Sequence, residues 1–397
     1  MPAPHILDTL SLGKIVQIRE RLFKAQAAGK KVFRFESGDP NFSIPSNVLI
    51  ALQTAAAQGK THYIPNAGIP ELRKELTQKL VKKNKIPVSS SENVFVTNGA
   101  MHALFVVFQS LLNPGDEVIV PDPMWTEVVE NIKLARGIPV GIPLLNCNEF
   151  QYSPQDIANK ISSKTKAIFI NTPHNPTGAV LSSETLLEIG KLAQKNNLWI
   201  ISDEAYEDVI FSPAEHVSIA SLMPEYSQKI VSIFSFSKSY AMSGLRVGYF
   251  TLHDDAIAER VQKILRCSIN GVNSVAQWTA LAALQGDQSP LQSMCVEYQK
   301  RGKIMFDALS GIPGVTPFYP KGSFFIWAAL DSILYAKLGV KDADEVSSLL
   351  AAMGIGSAPG DAFGESCAHA LRFAFSCDTQ MVEEGAPLLR QALLGVK

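Results

Sequence analysis

The sequence predicts an α/β fold, a mostly parallel sheet covered by helices and joined to a smaller α+β part. Three observations carry this expectation. Strand-like apolar runs alternate with helix-like stretches through the middle of the chain. Each run is nearly continuous in apolar residues, the signature of a strand buried on both faces rather than one. A chain of 397 residues with 46% hydrophobic content is also large for a single core, so a second body is expected.

In chain order, "LIALQTAAAQGKT" reads as a helix closed by Gly59. Its GKT is not a phosphate loop, because Thr54 stands where the first glycine is needed. "NVFVTNG" is the first strand, and Gly99-Ala100-Met101 opens the helix after it, whose free N–H groups can face an anion. "DEVIVPDP", "KAIFINTP", "LWIISDEAY" and "KIVSIFSFSK" follow as strands, each ending abruptly in polar or turn residues. In open α/β sheets ligands bind beyond the carboxyl ends of the strands. Asn98-Gly99, Pro121-Asp122-Pro123, Asn175, Asp203 and Lys238 are therefore expected to converge. A large domain over residues 46–285 holds these strands. A long helical stretch, then "GSFFIWAAL", "GIGSAPG" and "ALRFAFS", give a smaller α+β domain of residues 286–397 together with 1–45. "GIGSAP" is no dinucleotide fingerprint, since Pro359 replaces its third glycine and no strand precedes it in the required unit.

Composition narrows the chemistry. A net charge of −1 provides no broad positive field for nucleic acid or anionic membrane, so any anion must be held by local groups. Five scattered cysteines without CxxC spacing argue for reduced thiols and a cytoplasmic location. No signal peptide or membrane span is visible, and no leader is expected. The histidines show no metal-ligand spacing and there is no GxSxG elbow, which leaves zinc and serine hydrolysis without a starting point.

The chemistry gathers in "SFSKSYAMSGLRVGY". A lysine ending a buried strand is ordinarily a snorkelling surface residue. Around Lys238, however, Ser235, Ser237 and Arg246 offer hydroxyls and a planar cation suited to a phosphate. A phosphate beside a desolvatable amine points to a phosphorylated aldehyde held as a Schiff base, and pyridoxal phosphate needs three further parts. Asp203 can keep its pyridine nitrogen protonated, Tyr206 and Asn175 can donate to its phenolic oxygen, and Trp125 can cover its ring.

With these parts the chain resembles the class I/II aminotransferases, fold-type I pyridoxal-phosphate enzymes of the aspartate, aromatic and kynurenine aminotransferase kind. The likeness runs through "ESGDPNFSIP", "YIPNAGIPELR", "VTNGAMHALF", "PGDEVIVPDPMW", "NTPHNPTGAV", "SDEAYEDVIF", "SFSKSYAMSGLRVGY", "SAPGDAFG" and "LRFAFS", in order along nearly the whole chain. It implies that Lys238 holds the cofactor and moves the substrate's α-proton. It implies that Arg372 binds the α-carboxylate through two parallel hydrogen bonds, with Asn175 and the Gly38 backbone nearby. Gly99, Ala100, Met101, Ser235, Ser237 and Arg246 are expected around the phosphate, and Tyr63 is expected to reach it from a neighbouring subunit, which makes the enzyme a homodimer. Cis peptide bonds are implied before Pro123 and Pro176. Aspartate-preferring relatives tend to carry a basic residue where this chain has Met101, so apolar or aromatic donors are expected to serve at least as well as aspartate, with 2-oxoglutarate or pyruvate as acceptor. The alternatives are an aspartate aminotransferase, a carbon–sulfur β-lyase sharing the same machinery and, least favoured, a non-enzymatic regulator, for which no DNA-binding domain is expected ahead of the match.

Overall fold

The computed structural model describes residues 5–11 and 13–396; residues 1–4, 12 and 397, all assigned above to the smaller domain, lie outside the described residues. Strands β1 (Val94–Thr97), β2 (Glu117–Asp122), β3 (Ile138–Pro143), β4 (Thr165–Asn171), β5 (Trp199–Asp203), β6 (Ile230–Ser235) and β7 (Gly248–Thr251) form one sheet in the order β1-β7-β6-β5-β4-β2-β3. The run from β3 to β6 is parallel, while β7 is antiparallel to both its neighbours.

The strand sequences explain the layering. In β4, Ala167 and Phe169 point into a core shared with helices Ala100–Leu111, Thr126–Leu134 and Asp255–Ser268. Ile168 and Ile170 point into the opposite core, under helices Pro70–Lys82, Ser183–Lys195 and Ser274–Gln285. Successive side chains of a strand face opposite ways, so a strand covered on both faces must be apolar at every position. Each fully buried side chain of this kind contributes about 1.5–3 kcal/mol. Two strands are not among the apolar runs read from the sequence. Pro139, Gly141 and Pro143 interrupt β3, which is tolerated because it is the sheet edge. The four residues of β7 follow directly on the turn-rich segment and return antiparallel beside β6.

A second sheet, wholly antiparallel, has the order β10-β11-β9-β8, with β8 (Val315–Pro317), β9 (Phe325–Leu330), β10 (Ala358–Pro359) and β11 (Ala370–Ala374). Its helices Ser289–Leu309 and Thr379–Leu393 pack together, and helix Lys14–Ala27 packs on helix Ala343–Ala352 and β10. Phe33 bridges Ile355, which ties the N-terminal segment to this sheet. Gly59, at φ 70°, follows helix Ser46–Ala57 in the left-handed conformation of a helix stop. Among the described residues, no helix is long and apolar enough to cross a membrane.

Candidate active site

Parallel register brings the strand ends level. Asn171, the last residue of β4, pairs with Asp203, the last of β5, and Ser235 ends β6 beside them. Beyond these ends, between the two sheets, lies a cavity of about 430 Å³, a volume suited to a cofactor with a small substrate. Lys238, Asp203, Tyr206, Asn175, Trp125 and Arg372 all line it. So do Gly38, Ala100, Met101, Ser235, Ser237 and Arg246.

Lys238 sits in the one-turn helix Phe236–Ser239, whose entry is fixed by the Ser235 hydroxyl accepting from the Ser237 N–H at 3.1 Å. Its Nζ donates to the Gly38 carbonyl at 2.7 Å and lies 5.4 Å from the Phe324 ring centre. Burial, reinforced by the cations Arg372 and Arg246 and only partly opposed by Asp39 and Asp203, brings its amine down to about 8. Gly38 is glycine for a steric reason, since a Cβ there would meet the Phe325 ring at 2.8 Å. Asp203 is buried; burial and the adjacent Glu204 push its carboxyl up to about 6 against the pull of the Ala205 N–H and Lys238. A carboxylate held this way is relieved by any cation that comes to face it.

At the opposite end of the cavity, Gly99, at φ 80°, starts helix Ala100–Leu111 with no side-chain cap, leaving its first N–H groups free. A Cβ on Gly99 would meet Arg246 Nη2 at 2.5 Å, and one on Gly248 would meet the Ala100 nitrogen at 2.7 Å. The two glycines let the guanidinium and the helix start close on one point. Arg246 is itself in the left-handed conformation at φ 58°, anchored by Nη1 donating to the Ser243 carbonyl at 2.7 Å. Gly99 contributes this close approach without lining the cavity, as its neighbour Ala100 does.

Arg372 projects from β11, where its backbone pairs with Trp327 and Ala358. The guanidinium is buried between the Phe325 and Phe363 rings, at 4.3 and 4.8 Å. Its Nη1 donates to Asn175 Oδ1 at 3.1 Å and its Nη2 to the Glu36 carbonyl at 2.7 Å, while its buried Nε has no partner. Burial lowers its pKa to about 10. A buried cation that lines a cavity suits an anion that arrives from outside. Asn175 is held in turn by its backbone N–H donating to Asn171 Oδ1 at 2.9 Å. Tyr206 packs edge-on to Phe324 and Phe325, and burial raises its phenol well above 10. Its hydroxyl makes no hydrogen bond among the described residues, and the residue lines the cavity.

Tyr63 is elsewhere. It is 91% exposed, in a separate concavity formed with residues 269–275. Peptide bonds before Pro123 and Pro176 are cis, and so are those before Pro173 and Pro213.

A family model, aminotransferase class I and II, matches residues 30–388. The chain belongs to that family. It is 36% identical to an aspartate aminotransferase of Geobacillus stearothermophilus over 371 residues, which are 93% of this chain and 94% of the other. Among solved structures, an alanine aminotransferase of Pyrococcus furiosus superposes with a TM-score of 0.91 at 28% identity over 98% of this chain and 99% of that one. An aromatic aminotransferase of Pyrococcus horikoshii does so with 0.86 at 30%, over 95% and 98%. The chain is thus a fold-type I transaminase that uses pyridoxal phosphate. The cavity fits that cofactor. The close approach of Arg246 to the start of helix Ala100–Leu111 would accommodate a phosphate, the unbonded Tyr206 hydroxyl is free for a phenolic oxygen, the raised Asp203 carboxyl lacks the cation a protonated pyridine would supply, and Lys238 would provide the amine.

Sequence reasoning passed over several residues that line the same cavity, namely Ile15, Val16, Arg19, Glu36, Glu127 and Asn171. Asn171 was accessible to the rule that located Asp203, since it too ends a buried strand. The others come from helix faces or from turns far away in sequence, and carry no local signal.

Proposed function

We propose that this transaminase takes the amino group of apolar or aromatic L-amino acids at least as readily as that of aspartate, and passes it to 2-oxoglutarate or pyruvate in a ping-pong cycle. The observation that carries the donor class is Met101. It lines the cavity where a basic side chain would meet a second carboxylate, and Ile15, Val16, Trp125 and Phe325 add apolar surface to the same cavity. Relatives named for aspartate, alanine and aromatic substrates all share the fold, so family membership alone leaves the donor open.

Arg372 seats the α-carboxylate through two parallel hydrogen bonds, with Asn175 and the Glu36 carbonyl fixing the plane of the guanidinium. Asp203 would hold the pyridine nitrogen of the cofactor, Asn175 and Tyr206 its phenolic oxygen, and Trp125 its ring. Arg246, Ser235, Ser237 and the N–H groups that follow Gly99 would hold its phosphate. When bound, pyridoxal phosphate supplies an electron sink for the pair left at the substrate α-carbon. Lys238 Nζ removes the α-proton and returns it. With a pKa brought down to about 8, a useful fraction of the amine is neutral at neutral pH, as a base requires. Trp125 and the side chains of helix Lys14–Ala27 limit water at the reacting atoms.

The exposure of Tyr63 supports a homodimer in which it serves the other copy's phosphate site. The five free cysteines support a cytoplasmic location. A donor panel run against 2-oxoglutarate and pyruvate, with 2-oxo acid and ammonia measured separately, tests the reading. Phenylalanine, methionine, kynurenine or alanine should match aspartate in kcat/KM, ammonia should not accumulate, and Met101→Lys should shift preference toward aspartate. A strong wild-type preference for aspartate over every apolar donor would refute the donor assignment.

A further inference from the structure

Two opposite charges share the wall of the cavity. Arg19 comes from helix Lys14–Ala27 and Glu127 from the first turn of helix Thr126–Leu134; both line the cavity and both are exposed at its mouth. Neither forms an ion pair among the described residues, and Lys133 of the same helix as Glu127 pairs with Glu130 at 3.1 Å. Glu127 is coupled to the substrate wall by Asn131, whose Nδ2 donates to the Glu127 carbonyl at 2.7 Å and contacts Met101 Sδ at 3.5 Å.

A substrate anchored at Arg372 and Lys238 has its side chain in the cavity that Arg19 and Glu127 also line. A distal carboxylate arriving there can pair with Arg19 but is repelled by Glu127, which it leaves without a partner. A primary amide of the same shape presents N–H to Glu127 and C=O to Arg19, so that both side chains gain a partner. We infer that Glu127, with Arg19 in the same wall, is a specificity residue that selects donors ending in a carboxamide, asparagine and glutamine, over their carboxylate isosteres. Discrimination between two groups of equal size is strong only when a polar group of the site is left unpaired or repelled by the wrong one.

The inference rests on the transaminase reading above, in which Arg372 seats the α-carboxylate. The apolar donors test that reading, and ratios within isosteric pairs test this one, so either can fail alone. The experiment measures kcat/KM for asparagine against aspartate and for glutamine against glutamate, in the wild type, Glu127→Gln and Arg19→Gln. Ratios within one variant cancel any general loss of activity. Glu127→Gln should lower both amide-to-acid ratios by about tenfold, the size expected for a charge-assisted contact at a half-open site, and Arg19→Gln should raise them. Competitive inhibition of the wild type by succinate and its monoamide succinamate provides a second measurement that needs no variant, and succinamate should bind the more tightly. A fall of less than about threefold in the Glu127→Gln ratios, or tighter binding of succinate, overturns the assignment.

Discussion

Replacing Arg372 separates binding of the substrate from binding of the cofactor. In Arg372→Ala the α-carboxylate loses two charge-assisted hydrogen bonds, each worth about 1.5–3 kcal/mol. Together these amount to about 3–6 kcal/mol, or roughly 10²- to 10⁴-fold in kcat/KM. Arg372→Lys restores a point charge in the same pocket, but it cannot form the parallel pair or span Asn175 Oδ1 and the Glu36 carbonyl as the native side chain does. It should recover no more than about half of the lost free energy. The phosphate cradle and Lys238 do not depend on Arg372 for a hydrogen bond, so both variants should retain the cofactor's visible band at wild-type affinity. Single-turnover loss of that band on mixing with phenylalanine or alanine, read against donor concentration, measures the effect directly. An Arg372→Ala enzyme within tenfold of wild type in kcat/KM, or one that fails to hold cofactor, would refute the assignment of this side chain to the substrate.

Other expectations follow from the same geometry. In the cofactor-free protein Lys238 is lowered to about 8 from an unfolded value of 10.5. Below pH 8 the folded state bears the whole penalty of the buried cation, and stability from this group rises as the pH climbs from about 8 toward 10.5. Denaturant titrations across that window should show the rise, and Lys238→Ala should remove it. Asp203 behaves oppositely, since its folded value of about 6 exceeds the unfolded 3.8. Asp203→Asn should therefore stabilise the cofactor-free protein above pH 6 by at most about 3 kcal/mol, while the holoenzyme loses turnover by well over a hundredfold, as thermal melts and steady-state rates will show. Tyr63→Phe should weaken cofactor affinity by about 1.5–3 kcal/mol in an enzyme that sediments as a dimer, and a fully active monomer would contradict its role across the interface.

Much of this was legible in the sequence because burial leaves a mark there. Strands β1, β2, β4, β5 and β6 are covered on both faces and so spell continuous apolar words; Asn171, Asp203 and Ser235, which end β4, β5 and β6, reach the cavity, whereas Asn98-Gly99 after β1 and Pro121-Asp122-Pro123 at the end of β2 do not line it, the Asp122 carboxylate accepting instead from Ser366 and Cys367. Arg372 stood out as a charge inside an apolar strand. Strand β3 stayed hidden because an edge strand tolerates Pro139 and Pro143, which break the pattern that identifies its neighbours. Arg19 and Glu127 were illegible for a different reason. A charged residue on a helix face looks the same in sequence whether it meets bulk water or a substrate, and only the approach of helix Lys14–Ala27 to helix Thr126–Leu134 across the cavity tells these apart.

The account depends most on Lys238 being the amine that carries the cofactor. Borohydride reduction of the purified yellow enzyme, followed by peptide mapping, should bleach the visible band and place the phosphopyridoxyl mass on Lys238 alone, with Lys238→Ala remaining unlabelled while retaining some cofactor. Label on any other lysine, or a colourless protein that pyridoxal phosphate cannot reconstitute, would contradict it.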